Sequence, residues 1–105
     1  MDRKALVLRI GVLLMTSLFL GSANAAGDAK AGQAKSLVCG GCHGSNGISF
    51  DPNIPNLKGQ KDKYIVTSLQ RFKSGERKSE QMTAVTAAMS QQDMEDLAAY
   101  FSKLK

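Results

Sequence analysis

The 105-residue sequence has no tryptophan, one histidine and two cysteines. Each shortage excludes something. A lone histidine rules out an iron or zinc held by two imidazoles of the same chain. Two cysteines and one histidine cannot supply the four ligands of a tetrahedral structural zinc. No Lys/Arg run exceeds two residues and no basic–aromatic interleaving occurs, so the pattern excludes a nucleic-acid-binding surface. Strict apolar/polar alternation is missing throughout, which argues against strands and against a thioredoxin-like βαβ setting for the cysteines. A membrane-spanning helix needs about 20 consecutive apolar residues. The longest apolar stretch, Ile10 to Leu20, falls short and is interrupted by Gly11, Thr16 and Ser17.

That short stretch does have a meaning. It follows Arg3, Lys4 and Arg9 and precedes Ala23-Asn24-Ala25, the small-x-small pattern read by signal peptidase. Residues 1–25 are therefore expected to be an export signal peptide cleaved after Ala25, with 26–105 as a single domain in the periplasm. The alternative is an uncleaved anchor, for which the run is short. The remaining domain is mildly basic and small enough for a hydrophobic core alone to be marginal. Domains of this size usually carry a staple. A disulfide between residues 39 and 42 would close too small a loop to constrain the unfolded chain much.

The patterning predicts an all-α domain. Asp28 to Val38 is rich in Ala and Lys and reads as a helix, with Gly27 or Asp28 at its start. Four glycines between Gly40 and Gly47 predict that this helix stops near Cys39. A loop is expected over Gly40 to Gly59, long enough to wrap a large ligand. Ile65, Leu69 and Phe72 make one apolar stripe on a helix over Asp62 to Lys73, ended by Gly75. Glu76 to Gln81 is polar and reads as a loop, followed by one or two helical turns over Met82 to Met89. Ser90 caps a last helix, with Asp93 as a capping-box partner and Met94, Leu97, Ala98, Phe101 and Leu104 as its buried stripe.

Both cysteines and the only histidine fall in five residues, Cys39-Gly40-Gly41-Cys42-His43. Cys-x-x-Cys-His is a haem attachment pattern. Two thiols three residues apart can each add to one of two vinyl groups, and the adjacent imidazole then reaches the iron from one face. Free thiols are unusual in an oxidising compartment, which weighs against an accidental motif. Water, a lysine or a methionine can take the other face. Met94 lies on an apolar stripe and Met89 immediately before a helix cap, both places where a methionine packs. Met82 belongs to no clear stripe and is the best thioether candidate by elimination.

In these residues the sequence resembles the class I c-type cytochromes over nearly all of 26–105. Gly27-Asp28-Ala29 and Gly32 leading into Cys39-x-x-Cys42-His43-Gly44 resemble that family's first helix and haem site. Pro55-Asn56-Leu57-Lys58-Gly59-Gln60 is similar to its Pro-x-Leu-x-Gly-Gln loop, and Leu97-Ala98-Ala99-Tyr100-Phe101 to its last helix. The resemblance implies a small cytochrome c fold, with three main helices and a short one around one covalent haem. It implies thioether bonds at Cys39 and Cys42, His43 and Met82 as axial iron ligands, and the Pro55 carbonyl bonded to the His43 ring. It also implies that Ala31 and Gly32 let the last helix cross closely near Tyr100 and Phe101. Val85 and Met89 stand where many relatives have other apolar residues, which makes Met89 a rival ligand.

A closed His/Met site points to a monomeric one-electron carrier with redox-protein partners, and not to an enzyme. A haem subunit of a periplasmic dehydrogenase and a haem sensor with a displaceable distal ligand are the alternatives. Lys30, Lys35, Lys58, Lys61, Lys63 and Lys73 are either a docking surface or a solvated face.

Overall fold

The computed structural model describes residues 27–105. The expected signal peptide lies outside the described residues. Within them there are five α-helices and no strand, and no helix is long and apolar enough to cross a membrane.

Helix α1 spans Ala29–Lys35. Asp28 is its extended N-cap, and its carboxylate accepts from the backbone N–H groups of Lys30 (2.9 Å) and Ala31 (3.2 Å). The helix then tightens into a 3-10 turn over Ser36–Val38, where the Ser36 hydroxyl donates to the Gln33 carbonyl at 2.6 Å. This first helical run ends at Cys39 as expected, but the loop expected from Gly40 does not begin there. Gly40–His43 forms a further helical turn, α2, with bonds from His43 N to Cys39 O (2.9 Å) and Gly44 N to Gly40 O (3.0 Å). Two glycines are poor helix formers, but their unfavourable propensity is only about 1 kcal/mol each and packing overrides it. The chain leaves helix at Gly44 instead. Its φ of 84° suits only glycine, and a Cβ there would lie 1.8 Å from the Ile48 carbonyl oxygen.

The loop that follows is tightly bonded. Leu57 and Lys58 both donate to the Gly47 carbonyl, Ser49 N to the Asn56 side chain, and Gly59 N to the Phe101 carbonyl. Helix α3, Asp62–Ser74, buries Ile65 and Leu69 and stops at left-handed Gly75, as its pattern predicts. Helix α4 is Glu80–Thr86 and starts two residues before the expected Met82. The reason is a cap the polar run concealed: Ser79 is extended and its hydroxyl accepts from Met82 N at 3.2 Å.

Helix α5, Gln91–Lys103, begins with the expected capping box. Ser90 Oγ accepts from Asp93 N (3.0 Å) and the Asp93 carboxylate accepts from Ser90 N (2.9 Å). We expect Ser90→Ala to cost about 1 kcal/mol, read as a lower urea midpoint with an unchanged slope.

Buried Ile65 and Leu69 of α3 meet Met89 and the α5 stripe Met94, Leu97, Ala98 and Phe101. Helix α1 crosses α5 at Gly32, where a Cβ would sit 1.9 Å from the Asp96 carbonyl oxygen and 2.9 Å from Tyr100 Cβ. The close crossing thus meets Asp96 and Tyr100.

Candidate functional site

The three residues of the motif share one helical turn. Cys39 and Cys42 are three apart, a spacing that places two side chains on the same side of a helix. Both thiols are free. Cys39 is half-buried against the core, and burial pushes its thiol above the ordinary value. Cys42 is exposed. Between them, a Cβ on Gly41 would meet nothing within 4 Å. The polypeptide's own packing therefore does not demand that glycine.

His43 is 7% exposed, and its Nδ1 lies 2.8 Å from the Pro55 carbonyl oxygen. A carbonyl oxygen only accepts, so Nδ1 carries the proton and donates. With Nδ1 engaged in this way, the ring nitrogen left for a metal is Nε2. Pro55 is held in place by its neighbours. Ile54 N donates to Asp51 O at 3.1 Å, and Asn56 accepts from Ser49 N at 2.8 Å. The Ser49 hydroxyl also donates to the Cys42 carbonyl at 3.2 Å, stitching loop to motif. Cys39, Cys42, His43 and Pro55 are thus brought together.

Met82 is half-buried on α4 and packs against the same apolar cluster as Cys39. Its two rivals are core members, Met89 at 8% exposed and Met94 at 2%. The helical stretch expected over Met82 to Met89 ends early, at Thr86, so Met89 lies beyond α4 in the core while Met82 sits on α4 at the core's margin.

Two of the six candidate docking lysines are otherwise engaged. Lys35 pairs with Asp93 at 2.8 Å and Asp96 at 2.5 Å, and Lys73 donates to the Met89 carbonyl. Sequence reasoning missed Asp96 altogether. It is 3% exposed and accepts from Asp28 N, from Gln92 and from Lys35. Its only signal was weak: it is one of two adjacent acids, Glu95 and Asp96, set between Met94 and Leu97.

This cluster sets a pH response. The Lys35 ammonium and Ser90 N–H hold Asp93 down at about 2. Burial pushes Asp96 up, but hydrogen bonds from Lys35, Asp28 N–H and Gln92 outweigh it and the net shift is downward. Lys35 is raised, chiefly by its hydrogen bonds to the two carboxylates. Carboxylates with lowered folded pKa values stabilise above the unfolded value of about 3.9 and lose that contribution as pH falls through the folded value. Stability should therefore drop between about pH 4 and pH 2, and a Lys35→Met variant should show a shallower drop in pH-dependent urea melts.

The family model "Cytochrome c" matches residues 29–105. Cytochrome c4 of Pseudomonas aeruginosa is 47% identical over 93 residues, covering 89% of this chain and 46% of that protein. Cytochrome c-554(548) of Halomonas halodenitrificans is 40% identical over 80 residues, covering 73% of this chain and 96% of its own length. The crystal structure of reduced recombinant cytochrome c4 from Pseudomonas stutzeri superposes with a TM-score of 0.72 at 47% identity, over 76% of this chain and 47% of that one. The chain thus spans about half the length of the cytochromes c4 it matches.

The residues present fit the group these relatives imply: two free thiols one turn apart, beside a buried imidazole with one nitrogen committed and one available. The chain carries one haem c, attached covalently through Cys39 and Cys42. The motif, the all-α fold around it and the match over 29–105 lead to one conclusion: this chain belongs to the cytochrome c family.

Proposed function

We propose that the protein is a one-electron carrier of the periplasm, exported by residues 1–25, cleaved after Ala25 and folded over 26–105. His43 and Met82 would hold the haem iron. The observation that carries this reading is the 2.8 Å bond from His43 Nδ1 to the Pro55 carbonyl. It orients the ring, fixes its tautomer and directs the remaining nitrogen to a metal.

Bound haem supplies a one-electron iron couple. The protein's part is to keep that couple fast and closed. His43 is buried and tethered, so its ring has little freedom to move when the charge changes. Met82 sits on a helix whose first turn is capped by Ser79 and whose Met82 carbonyl accepts from the buried Thr86 hydroxyl at 2.8 Å. A thioether favours the reduced metal and raises the potential. With both His43 and Met82 holding the iron, no position would be left open for a substrate. The chain then exchanges electrons with other redox proteins and catalyses nothing itself.

The test is carbon monoxide added to the reduced, exported protein. A spectrum that does not change supports the closed carrier. Ready binding would overturn it in favour of a sensor with a displaceable ligand. A protein recovered only as a stable complex with a dehydrogenase would overturn the free-carrier reading.

A further inference from the structure

Ser49 joins the two halves of the candidate site. Its hydroxyl oxygen lies 3.2 Å from the Cys42 carbonyl oxygen and 3.1 Å from the Asp51 carbonyl oxygen, and it accepts from Asp51 N at 3.1 Å. A hydroxyl has one proton to give. That proton is shared between two carbonyls, which fits two contacts longer than the usual O–H···O distance of about 2.7–2.8 Å. Cys42 belongs to the helical turn Gly40–His43, and the last carbonyls of a helix have no partner inside it. Ser49 supplies one from the loop. Its backbone N–H donates to Asn56 Oδ1 at 2.8 Å. The Asn56 nitrogen shares one planar peptide unit with the Pro55 carbonyl. That carbonyl is the acceptor of the His43 Nδ1 proton. Ser49 thus bonds the carbonyl directly before His43 and the side chain directly after Pro55.

Resting on the ligation of iron by His43 proposed above, we propose that Ser49 is a positioning residue for electron transfer: through Cys42 and Asn56 it sets the His43–Pro55 hydrogen bond, and so lowers the reduction potential. A firm acceptor on the Nδ1 proton makes the ring a more basic ligand. A more basic ligand favours the oxidised metal. The Met82 thioether pushes the potential the other way, so Ser49 works against it. Without the Ser49 hydroxyl the Cys42 turn and the Pro55 loop are free to drift apart, the Nδ1 bond weakens and the potential rises. A residue that only holds the loop together would change stability and leave the potential where it was.

The experiment is voltammetry of the haem-loaded protein and its variants, with hydrogen exchange of the His43 ring N–H read by NMR in the reduced state. Ser49→Ala removes the hydroxyl and keeps the backbone N–H. It should shift the redox equilibrium with a fixed partner about threefold toward the reduced form, a rise of about 30 mV at 59 mV per decade. The ring N–H should exchange on the order of tenfold faster, because its bond opens more readily. Asn56→Ala removes the acceptor of Ser49 N–H and should shift both readouts in the same direction. Ser49→Thr keeps a hydroxyl and should restore the parent's values. Ser74→Ala is the control. The Ser74 hydroxyl also serves a carbonyl, that of Arg71 at 3.1 Å, and an N–H, that of Glu76 at 3.3 Å, at the end of α3. Its loss should leave the potential unchanged. A potential unmoved in both Ser49→Ala and Asn56→Ala, or faster ring exchange with no change of potential, would overturn the proposal. So would an equal shift in Ser74→Ala, or a Ser49→Thr variant that behaves like Ser49→Ala. If Ser49→Ala is recovered without haem, Asn56→Ala decides alone. Failure of the His43 ligation itself shows separately, in the parent, as an oxidised NMR spectrum without strongly shifted His43 ring protons.

Discussion

On the proposed ligation, replacing Met82 by alanine should lower the reduction potential by on the order of 0.2 V, a fraction of the roughly 0.8 V that axial ligands command. The same change removes the weak near-infrared band that arises from sulfur bound to oxidised iron, and opens the reduced protein to carbon monoxide. The thioether is the only group lost. Helix α4 is held by the Ser79 cap, by Thr86 Oγ1 on the Met82 carbonyl and by Thr83 Oγ1 on the Phe72 carbonyl at 3.2 Å, and none of these bonds uses the Met82 side chain. The variant should therefore stay folded while its iron site changes. Met89→Leu is the control. Met89 is packed in the core, and a volume-conserving swap there costs less than about 1.5 kcal/mol. Its potential and its near-infrared band should match the parent. Voltammetry and near-infrared absorption on both variants decide the matter: a potential unchanged by Met82→Ala, or a band lost with Met89→Leu, would move the ligand.

The second large effect is on stability. Gly32→Val should cost about 3 kcal/mol, at the upper end for overpacking, and lower the thermal midpoint by about 15 °C in a domain of this size. A Cβ at Gly32 would fall 1.9 Å from the Asp96 carbonyl oxygen. The obstacle is helix backbone, which cannot swing aside as a flexible side chain can. Gly27 stands in the same relation to the Glu95 carbonyl oxygen, at 1.8 Å. Relief requires α1 to lift from α5. Lifting strips Asp96 of Asp28 N–H and Lys35, leaving a buried carboxylate short of partners. A melt within a few degrees of the parent would show that the crossing tolerates bulk.

Much of this site was legible because it is local. Cys39, Cys42 and His43 are adjacent in sequence, and their chemistry follows from spacing. The same holds for the Ser90–Asp93 capping box and the Gly75 stop, each set by residues within a single turn. The Pro55 carbonyl on His43 came from family resemblance, and it spans 12 residues. What escaped the sequence lies in longer-range contacts or in competing signals. Glycine propensity pointed away from helix at Gly40 and Gly41, yet backbone bonds from His43 and Gly44 close the turn. Ser79 looked like one more polar loop residue until its hydroxyl was found on Met82 N. The Lys35–Asp96 pair joins residues 61 positions apart, so nothing near Lys35 distinguished it from the solvent-facing lysines.

The account stands most directly on the state of the iron in the intact, exported protein. The measurement is an optical spectrum of the full-length gene product from a host that attaches haem, taken oxidised, reduced, and reduced under carbon monoxide. The account predicts haem that stays with the chain through acid extraction, a near-infrared sulfur band when oxidised, and no response to carbon monoxide. Haem that washes out, or a reduced form that binds carbon monoxide at once, would contradict it.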